Sequence, residues 1–239
     1  MNRLSTIGHR IAKRIVFFGS NRYCNVCRRN WRKFRSFGVI PREDACCPGC
    51  DSLERHRLAW EFFQRKTDLF DDRPKRVLHV AAERCMEPLF RRELGRNYVT
   101  ADLMDPRADH QWDVMAIPQP DESFDVIYCS HVLEHVLDDR KALAEFYRVL
   151  TTGGWAVLNV PITATQTYED PSITDPVERE RLFGQKDHVR RYGPDYVNRL
   201  REAGFRVEVI CKTDLFSELE IARLGLCVEL TGEIYFCTK

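Results

Sequence analysis

The chain has 239 residues, 44% of them hydrophobic and 31% charged, with a formal net charge of +1. That length suits one ordinary domain plus a small appendage and leaves ample chain to bury a core. No apolar run approaches the roughly 18 residues that a transmembrane helix needs, which argues against a membrane-spanning protein.

The near-neutral total hides an asymmetry. Residues 1–76 hold 18 Lys/Arg against 8 Asp/Glu, a balance of +10, and the remainder holds 19 against 28, a balance of −9. A basic front half attracts phosphate, RNA or an anionic membrane surface, or it forms an ordinary solvated face. In residues 1–20, Ile7, Ile11 and Ile15 recur at helical spacing around Arg10, Lys13 and Arg14. Such a segment can make peripheral membrane contact or pack against its own protein. Its apolar block, residues 15–18, is too short for a secretory leader, so a cytoplasmic location is expected.

Residues 21–52 carry the pattern CNVC…CCPGC. Cys24 and Cys27 form one C-x-x-C pair, Cys47 and Cys50 a second, and nineteen residues separate them. Two residues between thiolates let one tight turn aim both sulfurs at a tetrahedral ion, so the spacing predicts a structural zinc ribbon. Four thiolates leave no open coordination position, so this zinc would have no catalytic part. Cys46 competes with Cys47 for the register, and His56 is a further conceivable ligand that falls on the surface of the next helix. Residues 53–74 read as a connecting helix, with Asp51 and Glu54 as a capping box and Leu53, Leu58, Trp60, Phe62 and Phe63 as the apolar stripe.

From residue 75 to 239 strand and helix patterns alternate. RVLHVAA, NYVTADL, WDVMAIP, FDVIYCS, WAVLNVPI, FRVEVI and GEIYFCTK read as seven strands, with helices at MEPLFRREL, DDRKALAEFYRVL and GPDYVNRLREAGF. Alternation of this kind predicts an α/β, doubly wound, mostly parallel sheet with ligands beyond the carboxyl ends of its strands.

The order of these segments, and above all the run from Asp113 to Pro161 with PDESFD, LEHV and RVLTTGG, resembles the class I S-adenosylmethionine (SAM)-dependent methyltransferases of the type 11 kind. The resemblance covers nearly all of residues 75–239. The ribbon followed by CPGCDSLERHRL, and later FGQKDHVRRYGPDY, is similar to a bacterial subgroup of that family with an N-terminal zinc module. The resemblance implies a Rossmann-like fold and SAM as cofactor. It places the cofactor at Ala81, Ala82 and Glu83 after the first strand, Asp102 and Leu103 after the second, Asp113 and Val114 near the third, and Ser130 after the fourth. Asp102 would accept from the ribose hydroxyls, and Asp113 with the backbone of Val114 would face the adenine amine. The chain departs from the family where glycines are usual: Ala81, Glu83 and Cys85 occupy those positions, and glycine is normally needed there for positive φ and close approach. Either the loop follows another path, with Glu83 pairing the methionine ammonium, or cofactor binding has decayed.

The long connection of residues 163–193 is the expected acceptor region. His188 is the candidate general base, Asp187 its orienting or assisting partner, and Arg190 or Arg191 a clamp for an anionic acceptor, with surface ion pairing as the plainer reading of the charged residues. His131 is a further candidate at the acceptor. The string His131-Val-Leu-Glu134-His135 also fits an inverted zinc-peptidase motif. Too little chain lies between the strand before it and the cap at Asp138–Asp139 for a sustained helix, so a hydrolase is not expected. A divalent ion on His131, Glu134 and His135 stays open, beside simple hydrogen bonding that locks the loop.

Three functions follow. The first is methyl transfer to an O or N atom of a small-molecule or glycan-like acceptor. The second is RNA methylation, with the basic module on phosphate and Trp31, Phe34 and Phe37 as stacking candidates. The third is a non-catalytic zinc-ribbon interaction protein with a degenerate methyltransferase fold.

Overall fold

The computed structural model describes residues 15–38, 41–226 and 232–239. Most of the basic N-terminal segment therefore lies outside the described residues, and of its apolar block Ile15, Val16 and Phe18 are exposed. No helix among the described residues is long and apolar enough to cross a membrane.

In chain order, four short strands open the structure: β1 (Arg22–Cys24), β2 (Arg29–Trp31), β3 (Arg35–Phe37) and β4 (Arg42–Cys46). They form two antiparallel hairpins, β1 with β2 and β3 with β4. Helix α1 (Glu54–Lys66) follows, then β5 (Val77–Val80), α2 (Glu87–Leu94), β6 (Tyr98–Ala101), β7 (Phe124–Ser130), α3 (Asp139–Val149) and β8 (Leu150–Asn159). The connection after β8 is not bare loop: it holds β9 (Tyr168–Glu169), α4 (Pro176–Phe183) and β10 (Arg190–Arg191). The chain closes with α5 (Tyr196–Glu202), β11 (Arg206–Ile210), α6 (Lys212–Leu215), α7 (Glu218–Leu224) and β12 (Ile234–Thr238).

These elements fall into two compact units, neither of them continuous in sequence. The smaller takes the described residues of Met1–Phe70, Arg84–Leu89 and Cys211–Thr231; the larger takes Asp71–Glu83, Phe90–Ile210 and Gly232–Lys239. The smaller unit is organised around Arg57, a fully buried guanidinium. Its Nε donates to Leu224 O at 2.6 Å, Nη1 to Ser52 O at 2.8 Å, and Nη2 to Ala45 O and Gly225 O at 3.0 and 3.2 Å. The same group lies 4.2 Å over the Phe34 ring. Burial lowers its pKa, and nearby anionic groups counter that shift. An arginine buried in this way is tolerable only because its donors find acceptors.

Helix α1 does not start with the expected capping box. Asp51 sits in a left-handed turn at φ 61°, and the first turn is closed by His56, whose Nδ1 accepts from Leu53 N at 3.1 Å. His56 is thus buried, not on the helix surface.

The larger unit is an α/β structure whose six-stranded sheet runs in the order β11-β12-β8-β7-β5-β6. Pairs β5–β6, β5–β7 and β7–β8 are parallel, and β12 runs antiparallel to β8 and β11. The doubly wound class is as expected, but among the described residues the sheet has six strands and not seven. WDVMAIP forms no strand, because Asp113 Oδ1 accepts from Met115 N at 2.8 Å and Ala116 N donates back to Asp113 O, which winds the segment into a turn. Its apolar residues Val114 and Ile117 still point into the core. From β5 the chain passes to β6 on one side and then to β7 on the other, so the winding reverses between β5 and β7. That switch point is where such sheets hold ligands.

Candidate active site and metal centre

The carboxyl ends of β5, β6 and β7 bring together the residues expected to meet a cofactor. Ala81, the first residue past β5, has φ 49° with its N–H donating to Ala101 O at 2.8 Å. The left-handed turn usually given to glycine is therefore present without glycine, at a strain cost of about 1 kcal/mol. Glu83 is held by two buried groups: His79 Nε2 lies 2.7 Å from Oε2, and Tyr128 donates its hydroxyl to Oε1 at 3.1 Å. His79 is itself fixed by Tyr98 OH at 2.7 Å from Nδ1. Cys85, at the third glycine position, belongs to the smaller unit, with its sulfur 3.2 Å from His56 Nδ1.

Past β6, Asp102 Oδ1 accepts from Met104 N and Asp105 N at 2.7 and 2.8 Å, which fixes the carboxylate at the strand end. Leu103 beside it is 59% exposed. At the end of β7, Ser130 is buried and its Oγ has no partner among the described residues. A buried hydroxyl without a partner costs on the order of 1–3 kcal/mol.

HVLEHV is a turn and not a helix: His135 N donates to Val132 O and Val136 N to Leu133 O. His131 has φ 58°, an uncommon conformation for histidine that clusters at functional sites. Its Nδ1 lies 3.4 Å from Glu134 Oε1. Glu134 is almost wholly buried; burial raises its pKa, but the bond to His131 and the nearby imidazole charge outweigh that and lower it overall.

The proposed His188–Asp187 couple does not form. Asp187 is 3.1 Å from His135 Nδ1, whereas His188 Nδ1 lies 3.1 Å from Phe183 O. His188 is 7% exposed, and burial lowers its pKa, keeping it neutral. Arg190 is no acceptor clamp either. It is 3% exposed, donates to Leu133 O and Leu137 O at 2.6 and 2.9 Å and to Val136 O, and pairs with Glu169 at 2.8 Å. It staples the HVLEHV turn. Arg191 donates to Thr163.

In the smaller unit the sulfurs of Cys24, Cys27, Cys47 and Cys50 all lie within 4.8 Å of one another. Cys24–Cys50 and Cys27–Cys47 are each 3.7 Å apart. A tetrahedron with zinc–sulfur bonds of about 2.3 Å has edges of about 3.8 Å, so the spacing fits zinc. Gly49 N donates to Cys47 Sγ at 3.3 Å, and Ser52 Oγ lies 3.2 Å from Cys24 Sγ. Glycine is required at position 49, since a Cβ there would stand 2.6 Å from the Trp31 ring. Cys46 stays outside the cluster and accepts from Arg35 at 2.9 Å. Trp31 and Phe34 are buried, which leaves Phe37 as the exposed ring of the three stacking candidates.

Residues 68–158 match the family model for a methyltransferase domain. An S-adenosylmethionine-dependent methyltransferase from Mesorhizobium loti superposes with TM-score 0.54 at 16% identity, over 76% of this chain and 98% of that one. A Burkholderia thailandensis 1,6-didemethyltoxoflavin-N1-methyltransferase, bound to 1,6-didemethyltoxoflavin and S-adenosylhomocysteine, does so with TM-score 0.51 at 14% identity, over 78% of each chain. The fold is the class I methyltransferase fold. In sequence, 66 residues are 44% identical to a Deinococcus radiodurans demethylmenaquinone methyltransferase, and 121 are 30% identical to an uncharacterised transposon protein of Streptomyces fradiae. Those matches take in 28% and 46% of this chain, and 27% and 32% of the two relatives. On this fold the ends of β5, β6 and β7 flank the switch point of the sheet.

Proposed function

We propose that the protein is a SAM-dependent methyltransferase that alkylates an O or N atom of a small-molecule or glycan-like acceptor. The observation that carries this reading is the set at the switch point: the left-handed Ala81 turn, the fixed carboxylates of Glu83 and Asp102, and the unpartnered buried hydroxyl of Ser130. These residues fit SAM. Asp102 suits the ribose diol and Glu83 the ammonium, Ala81 and Ala82 allow close backbone approach, and Asp113 and Val114 line the adenine side with Leu103 as an exposed apolar cover. Bound SAM would supply the electrophilic methyl group, so the chain's own part is alignment and proton removal.

An O or N acceptor methylated in this way would be left with a proton to lose, and a side chain of the protein would have to take it up. His131 is the best placed of the candidate bases, directly after β7, partly exposed, and oriented by Glu134. His188 is too enclosed, and Asp187 faces His135. The sulfurs of Cys24, Cys27, Cys47 and Cys50 would hold a structural zinc. RNA as acceptor is the second reading, supported by exposed Arg28, Arg29 and Arg32 on the basic module.

Calorimetry on the zinc-loaded chain tests the cofactor. SAM should bind, and Asp102→Ala should weaken it at least tenfold, about 1.4 kcal/mol. Absence of heat with the unmodified protein overturns the assignment.

A further inference from the structure

The turn after β7 carries a second metal-like cluster, and it differs from the one its sequence suggests. Glu134, His135 and His188 each offer a ligating atom, and the three atoms lie within 4.8 Å of one another. All three residues belong to the larger unit. Glu134 is 2% exposed and His188 7%, and each carries an atom without a partner among the described residues, Glu134 Oε2 and His188 Nε2. A buried polar atom left unmatched is destabilising, so each calls for a partner.

The protonation pattern sharpens the point. A ring nitrogen bonded to a carbonyl must be the donor, so His188 Nδ1, 3.1 Å from Phe183 O, carries the proton and Nε2 presents its lone pair. Glu134 already meets His131 through Oε1. The two orphan atoms are therefore both acceptors, and two acceptors cannot satisfy each other; an electrophile satisfies both. His135 adds the arrangement that orients metal-binding imidazoles, a ring nitrogen 3.1 Å from the Asp187 carboxylate. Its ring stands at 85° to that of His188, with centroids 4.6 Å apart.

We propose that Glu134, His135 and His188 bind a divalent transition cation of the zinc class. Two imidazoles and one carboxylate suit zinc, cobalt or nickel, whereas magnesium and calcium prefer all-oxygen sets. Zinc with nitrogen and oxygen ligands at about 2.0–2.1 Å has edges near 3.4 Å, so ligands within 4.8 Å of one another need to close by no more than about 1.4 Å on binding. Three protein ligands leave a position open. The string H-x-x-E-H pairs His131 with His135, but the fold supplies His188 in place of His131, whose Nδ1 is turned to the other carboxylate oxygen of Glu134. The site stands apart from the methyl-transfer reading, because its occupancy is measured without SAM.

The test titrates Co2+ into the untagged, metal-free full-length chain. Thiolate-bound cobalt shows intense near-ultraviolet charge transfer, while a site of nitrogen and oxygen ligands shows only weak visible bands. The unmodified protein should take up two equivalents, the second without added charge transfer. Glu134→Gln and His188→Phe should each weaken that second equivalent about 100-fold and leave the thiolate signal intact. His135→Gln, at a partly exposed position, serves where a buried variant fails to fold, with at least a roughly tenfold loss. Saturation of the unmodified protein at one equivalent overturns the proposal, as does a folded variant that keeps the second.

Discussion

The cysteine cluster and the Glu134–His135–His188 cluster hold their ligands in opposite ways. The four sulfurs come from two short turns and crowd to 3.7 Å, a spacing that fits a tetrahedral zinc. The three groups of the second cluster come from a turn and a distant segment, and Arg190 fixes that turn through its carbonyls with no ion needed. With the proposed ions, the first would make metal a part of the fold, and the second would be a scaffold built without it.

The largest expected effect follows directly. A zinc-selective chelator should strip amide-exchange protection from β1–β4, because a structural zinc of this type is worth about 10–16 kcal/mol. Protection in β5, β7 and β8 should persist, since the buried residues of that sheet form one continuous apolar core. Ribbon strands that stay protected after complete chelation would erase the contrast. Next in size is Arg57→Leu, which orphans four carbonyls inside the smaller unit and should cost about 3 kcal/mol in urea denaturation. A cost below about 0.5 kcal/mol would mean that zinc alone organises that unit.

Smaller effects probe the larger unit. Ala81→Gly should stabilise the protein by up to about 1 kcal/mol or leave it unchanged, with SAM affinity within about twofold. A clear destabilisation would show that the methyl group at position 81 packs usefully. The smallest effect is pH dependence through Glu169. Burial opposes its ionisation, but the guanidinium groups of Arg199 and Arg190 outweigh that and bring its pKa down to about 2. A carboxylate lowered in the folded state stabilises fully above its unfolded pKa near 4.5, and that contribution fades as pH falls toward 2. Glu169→Gln should flatten the melting-temperature slope across that window.

The sequence was legible where chemistry is local. The two C-x-x-C pairs, the strand FDVIYCS, the cap at Asp138 and the acidic end of β6 can all be read from neighbours in the chain. WDVMAIP misleads because an apolar run carries no sign that Asp113 will bond its own backbone. Glycine's absence after β5 suggests a changed loop, yet Ala81 adopts the same φ, held by a bond to Ala101 that no local pattern shows. His188 and Glu134 lie far apart in sequence, and their meeting depends on how β10 and Arg190 draw the later segment onto the turn. The pairing of Asp187 with His135, rather than with its neighbour, has the same non-local origin.

Arg57 carries one more consequence. Two of its four acceptors, Leu224 O and Gly225 O, lie more than 160 positions further along the chain. During synthesis the cysteine turns leave the ribosome well before residues 224 and 225, so the buried guanidinium has no complete set of acceptors until those residues follow. The early segment must wait with a desolvation-averse charge half matched, and a nascent chain stalled before residue 224 should be the form most open to proteolysis and to capture by chaperones.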